Sequence, residues 1–240
     1  MKKFVQKSLQ KLLGFRRYLF WFSWFKIKTL SWDRKEGDFN HFLSLIPKDG
    51  KVLDIGANIG IMAVPLAKHC KQGEVHAIDP IPENFDALSR ITGHFKLKNI
   101  HLYDFALGEK PGELEMVMPE VKGVQMQGLS HVVHDSIEDF NEGRRFKVPV
   151  HRLDDLDFVQ DVKAIKIDVE NFEYFVFKGA EATLRRYKPM IYCELWANEN
   201  RDKCFELLRD ELGYSIQVLS GGKLVPFNPE THENQNFFFI

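Results

Sequence analysis

Between residues 51 and 212, short β-branched runs alternate with longer segments of helical period, a rhythm that leaves little but βα units laid on a parallel sheet. Residues 51–55, 74–79, 100–103, 164–168 and 190–194 read as strands. Residues 59–70, 83–95, 174–187 and 200–212 read as helices; in 83–95 the apolar Phe85, Leu88, Ile91 and Phe95 keep helical spacing. Strands at 214–219 and 236–240 close an α/β chain. Residues 104–163 are too long for an ordinary connection, so an insertion is expected there. Within it 113–118 and 146–150 read as extra strands, and 119–145, with Gly123, Gly128, His131 and His134, as a solvated loop.

The chemistry gathers where strands end. Val52-Leu-Asp-Ile-Gly-Ala-Asn-Ile-Gly60 runs from a strand through a glycine turn into a helix. Gly56 permits a tight turn against a ligand and Gly60 a close helix–strand approach, and the turn's N–H groups are expected to be free for an anionic group. A dinucleotide fold wants G-x-G-x-x-G, whereas here three residues separate Gly56 from Gly60, and Asp54 stands two residues before the turn. A pyrophosphate has no use for that carboxylate; a ligand with an ammonium group does. Asp79 ends the second strand, where an acid accepts from both ribose hydroxyls. Together these describe a nucleoside with an amino-acid tail, S-adenosylmethionine. Its binding residues would be Asp54, Gly56, Ala57, Asn58, Ile59, Gly60 and Asp79, with Asp104, Phe105 and Ala106 meeting the adenine and Asp168 beside the tail.

The fourth strand ends in Ile165-Lys-Ile-Asp-Val-Glu-Asn-Phe-Glu173, so Asp168, Glu170 and Glu173 stand at the sheet's carboxyl edge; Glu194 ends the fifth strand, followed by Trp196. These segments, with Ala106-Leu-Gly108, Gly112, Leu153-Asp-Asp155 and Gly179-Ala180, resemble the FkbM-type S-adenosylmethionine-dependent methyltransferase family over roughly residues 50–195. Asn171 stands where that family usually has glycine, and His151-Arg152 where a small or hydroxyl residue is common. The resemblance implies a Rossmann-like class I fold: a seven-stranded, mostly parallel sheet with an antiparallel last strand. It divides the chain into an N-terminal helical extension, 1–35, and a catalytic domain, 36–240, in which the insertion, 107–162, carries the acceptor loop.

It also implies methyl transfer to an oxygen, in known members often a hydroxyl of a sugar or polyketide. An alcohol holds its proton tightly, so a base or a metal must loosen it. Asp168, Glu170, Glu173, Glu194 and His151 are the candidates for that work. Asp168, Glu170 and Glu194 would suit Mg²⁺, which the sequence does not require. Two other readings stand beside this one: an NAD-linked oxidoreductase, and a membrane-docked, non-catalytic scaffold that keeps a vestigial methyltransferase fold.

The net charge of −1 hides a division: residues 1–30 hold eight Lys or Arg and no acid, which leaves −9 for the rest. Eight of the 31 aromatics fall in the same stretch. On one helical wheel Val5, Leu9, Leu12, Leu13, Leu19 and Phe20 share a side opposite Lys3, Lys7 and Lys11. Such a helix suits an anionic membrane surface, the catalytic domain or a homodimer partner. The −9 of the remainder argues against nucleic acid. The longest apolar run, 18–25, is far short of the roughly 18 residues that span a bilayer. Three cysteines without a C-x-x-C pair suggest neither disulfide nor zinc, so a cytoplasmic protein is expected, with residues 1–30 free to reach the inner membrane face.

Overall fold

Five parallel strands carry the centre of the molecule, in the order β3 (Ile100–Tyr103), β2 (Glu74–Ile78), β1 (Lys51–Ile55), β9 (Val162–Ile167) and β10 (Met190–Glu194). The computed structural model describes residues 2–134 and 141–240. Beyond β10 the antiparallel β13 (Asn236–Phe239) joins the sheet, then β11 (Ile216–Ser220). The chain order reverses between β1 and β9, and open α/β sheets bind ligands outside the carboxyl ends of such neighbours. An eighth strand, β12 (Lys223–Pro226), replaces the expected seven-strand edge. It folds back on β11 through Gly221 and Gly222, whose φ values of +57° and +79° fit the tight turn that matches strand twist.

Both faces of this sheet are covered, so its strands are apolar at nearly every position rather than alternately. Phe237 and Phe239 pack on one face with Leu53, Ile165 and Phe177; Phe238, between them, packs on the other with Val52, Ala164 and Tyr192. All three phenylalanines are fully buried, each worth about 2–3 kcal/mol of transfer free energy. The second face is closed by α3 (Gly37–Leu45), through Phe39 and Phe42, and by α4 (Ala63–His69), through Leu66. The helix expected from residue 59 begins only at Ala63, because the glycine turn occupies the residues before it.

α5 (Pro82–His94) links β2 to β3. The helix expected over 174–187 is two, α6 (Glu173–Lys178) and α7 (Glu181–Tyr187). They part at Gly179, where a Cβ would lie 2.0 Å from the carbonyl oxygen of Gly108. Asp154 then caps α7, its carboxylate accepting from the amides of Ala182 and Thr183 at 3.1 and 2.8 Å. The Leu153-Asp-Asp155 segment is thereby explained as a structural joint. α8 (Glu199–Phe205) continues as a wider turn through residue 211.

The insertion is a sheet of its own. β5 (Gly112–Val121) and β8 (Gly143–His151) pair from Gly112↔Val150 to Pro119↔Gly143; β4 (Ala106–Leu107) lies parallel to β8, and β6 (Val124–Gln125) and β7 (His131–Val132) pair with β5. Much of the expected loop 119–145 is therefore strand, and residues 135–140 of it lie outside the described residues. His131 is buried rather than solvated, its ring nitrogens bonded to the Leu129 carbonyl and Asn141.

The single N-terminal helix is also two, α1 (Lys2–Leu13) and α2 (Phe15–Thr29), broken at Gly14 with φ +73°. α2 buries Tyr18 and Leu19 against Ile59 and Ala87, and Ser23 Oγ donates to the Ile59 carbonyl at 2.7 Å. α1 rests on the β5–β6 hairpin, where Gln10 exchanges two hydrogen bonds with the Gln125 backbone. Among the described residues no helix is long and apolar enough to cross a membrane.

Candidate active site

A crevice opens outside the carboxyl ends of β1, β2 and β9, where open α/β sheets bind their ligands. Of the residues expected to bind there, it is lined by Gly56, Asn58, Asp79, Phe105, Ala106, Asp168 and Glu170. The insertion supplies the facing wall with Met116, Gln127, Gly128, Ser130 and Val132.

The glycine turn is fixed by its own backbone. Gly56 has φ +75°, and a Cβ there would fall 1.8 Å from the Asp168 carbonyl oxygen, so no other residue fits. Contrary to the expectation of free N–H groups, every amide from Gly56 to Gly60 is taken. Gly56 and Ala57 both donate to the Ile78 carbonyl at 3.0 Å, Gly60 to that of Ala57, Asn58 to Asp79 Oδ2 at 2.8 Å and Ile59 to Asn58 Oδ1 at 2.8 Å. The turn has no donor left for a phosphate. Ala57, Ile59 and Gly60 do not line the crevice: they pack inward on Ala77, on Tyr18 and Leu19, and on Leu88 and Ile91.

Asp79 sits at the end of β2 with Oδ1 accepting from Ile81 N and Oδ2 from Asn58 N. Burial, only partly offset by those amides, pushes its carboxyl up to about 7. Asn84 also bonds Asp79. Yet among the described residues its Oδ1 is buried without a partner, as is Ser130 Oγ across the crevice. Unpaired buried polar atoms are costly unless a ligand meets them, and these two face the same cavity as Asp79. A ribose hydroxyl is a suitable partner for Asn84 Oδ1 beside Asp79, so the residues present fit S-adenosylmethionine.

Asp54 does not reach the crevice. It faces the same side of the sheet as Val52 and is fully buried, with Lys166 Nζ 3.4 Å from Oδ1. Lys166 is its cross-strand partner on β9, donates to the Gly56 carbonyl at 3.0 Å and lies 4.0 Å from Asp168 Oδ2. Burial alone would lower the Lys166 ammonium, but the carboxylates of Asp54 and Asp168 outweigh it and hold its pKa above the ordinary value. This buried cation is a site residue that motif reading missed, although a lone Lys opposite an Asp on the neighbouring strand is its signal.

The other acids divide. Glu170 lines the crevice from a backbone with φ +54°, followed by Asn171 at +74°. The glycine usual at residue 171 is thus replaced by one of the few side chains that tolerate the left-handed region. Burial, then the charges of Asp168, Glu194 and Glu173, push Glu170 up to about 9. Glu194 lies outside the lining but within range of Asp168, and burial with that charge lifts it to about 7. Glu36, half-buried just before α3, is raised by burial and also senses Asp168. Glu173 turns back instead: its Oε1 accepts from Val169 N at 2.9 Å, anchoring the turn into α6.

Neither Asp104 nor His151 lines the crevice. Between β3 and β4 the chain turns Phe105 into the crevice, whereas Asp104 is exposed in a neighbouring groove with Phe85 and Lys147. His151 is exposed and packs edge-on to Phe105, ring centroids 4.6 Å apart. Trp196 is half-buried outside the lining. Nor do Asp168, Glu170 and Glu194 converge at ligand spacing. Among the described residues the group whose ligand atoms all lie within 4.8 Å of one another is Glu74, His76 and His101, at the opposite end of β2 from the crevice.

A family model described as the methyltransferase FkbM domain matches residues 54–219. Methyltransferase 1 of Beauveria bassiana (strain ARSEF 2860) is 25% identical over 187 residues, covering 72% of this chain and 75% of that protein. DNA polymerase 1 of Sulfurisphaera ohwakuensis is 27% identical over 143 residues, 57% of this chain and 15% of that protein. The crystal structure of methyltransferase FkbM from Methylobacillus flagellatus KT superposes with a TM-score of 0.55 at 17% identity, over 82% of this chain and 45% of that one, a likeness of fold. The chain thus spans less than half of that structure and a small part of the polymerase.

Proposed function

The chain belongs to the FkbM methyltransferase family, and we propose that it transfers a methyl group from S-adenosylmethionine to a hydroxyl oxygen of a sugar or glycan. The observation that carries this reading is a glycine turn with every amide occupied, set among Asp79, Asp168 and Glu170. A dinucleotide would bring its pyrophosphate to a place with no donor and several acids; a sulfonium with an ammonium tail brings positive charge. The three cysteines are buried free thiols, in keeping with a reducing cytoplasm.

When bound, the cofactor supplies a methyl carbon on a cationic sulfur, which a hydroxyl oxygen takes as the carbon–sulfur bond breaks to a neutral thioether. Asp79 and Asn84 would hold the ribose, Phe105 the adenine and Asp168 the cationic tail. Lys166, behind the turn, keeps Asp54 and Asp168 from repelling each other. Burial and the charges of Asp168, Glu194 and Glu173 raise Glu170 and favour its protonated form. A positive charge placed there lowers it into the range where it accepts the hydroxyl proton. Much of the acceleration then rests on alignment of the two reacting atoms.

Calorimetric titration with S-adenosylmethionine tests the first half: saturable binding, weakened at least tenfold in Asp79→Ala, is expected. Displacement by NAD but not by S-adenosylhomocysteine would overturn it. Transfer of labelled methyl to a panel of nucleotide sugars and glycans, with and without Mg²⁺, tests the second. Label on no hydroxyl compound would reject the acceptor class, and methyl transfer surviving intact in Glu170→Gln would remove that residue as base.

A further inference from the structure

We propose that the outward face of α2, with the turn that follows it, docks on an anionic lipid surface. A helix packed on a domain through one side ordinarily shows charged or small polar residues on the other. α2 does not. Opposite the buried Leu19 and Ser23, its outward stripe reads Arg17, Trp21, Phe25 and Lys28. Trp21 is 54% exposed and Phe25 57%, and Trp32, in the next turn, is 82% exposed. Two large aromatics between two cations is the pattern of a surface whose rings sit at headgroup depth while long basic side chains reach the phosphates.

The domain beneath extends the same chemistry. The Arg90 guanidinium lies 5.0 Å over Phe20, and Lys28 and Lys68 both stand over the Phe95 ring, at 5.7 and 3.7 Å. Among the described residues neither lysine has an ion-pair partner. Two ammonium groups brought to one ring without a carboxylate invite an anion from outside. Residues 1–30 carry +8 without an acid while the rest of the chain carries −9, so an anionic sheet of charge attracts this face, repels the remainder and orients the molecule. Charge also decides against a second copy as the occupant. A symmetric pairing would bring two copies of the basic face that carries Arg17, Lys28 and Lys68 together. α1 adds Val5, Leu9 and Leu12, exposed along one stripe and held on the β5–β6 hairpin by Gln10; Gln127 and Gly128 of the crevice wall follow directly on that hairpin.

The test is flotation of the full-length protein with vesicles of phosphatidylcholine alone or mixed with phosphatidylglycerol. Binding to the anionic vesicles only, weakened by salt, is expected, with tryptophan emission quenched by chain-brominated lipid. Trp21→Ala with Phe25→Ala, and separately Arg17→Gln with Lys28→Gln, should each cut partitioning about tenfold or more, while circular dichroism and S-adenosylmethionine binding stay unchanged because none of the four side chains lines the crevice. The proposal is overturned if the protein fails to float with anionic vesicles, if both double variants float like the parent, or if Trp21→Ala with Phe25→Ala turns a dimer into a monomer in sedimentation without changing flotation.

Discussion

On the sheet side of the crevice, Gly56 takes a φ of +75° with the Asp168 carbonyl oxygen 1.8 Å from where a Cβ would be. On the insertion side, Gly128 lies outside the left-handed region, and its nearest neighbour, Asn58 Nδ2, is 4.0 Å from the corresponding point. The first wall is shaped by backbone that admits one residue; the second is shaped by side chains on an inserted sheet. A wall of the first kind suits a ligand that never changes, the methyl donor. A wall of the second kind can be refitted by substitution without disturbing the sheet, which is what acceptor choice requires.

The strongest way to break that contrast is Gly56→Ala. Strain and collision together should cost at least about 3 kcal/mol of stability and abolish donor binding, read by urea unfolding and calorimetry. Near-parental values would mean the turn is not rigid. Less severe is a pH effect on the acids between the walls. The folded protein holds protons on Asp79, Glu170, Glu173 and Glu194 up to about 7, 9, 8 and 7, whereas the unfolded chain releases them near about 4. The folded state therefore binds more protons between those limits, and stability falls as pH rises from about 5 towards 9. Melting temperature should drop steadily over that range, and Glu170→Gln should flatten the slope.

On the insertion wall, Ser130→Ala removes a hydroxyl with no partner. Stability should stay within about 0.5 kcal/mol and donor affinity unchanged, while KM for the acceptor rises a few-fold. A large loss of donor affinity would move Ser130 to the donor's side. The smallest effect is expected from Gly128→Ala, which meets only ordinary contact and should leave donor binding within about twofold, against the total loss at Gly56.

Legibility in the sequence followed the same division. Periodicity was enough for the five parallel strands, because β-branched runs buried on both faces have no other reading, and glycine spacing placed the turn. Residue types did not give side-chain direction. Asp54 and Glu173 are acids in the right segments, yet strand alternation turns one away from the crevice and a left-handed turn folds the other back on Val169. Lys166 was hidden because its significance lies across the sheet, in the register that sets it opposite Asp54. The insertion was least legible. Its long pairing of β5 with β8 joins residues far apart in the chain, and no local pattern announces which strands will meet.

Gly128 hanging over Asn58 also bears on the tempo of the reaction. A donor seated against the glycine turn would be faced by Gln127, Gly128 and Ser130 of the segment between β6 and β7, so spent product and fresh donor would pass along that segment. Its stiffness would then be felt in turnover before affinity, and a substitution there would slow the cycle while the equilibrium constants stay where they were.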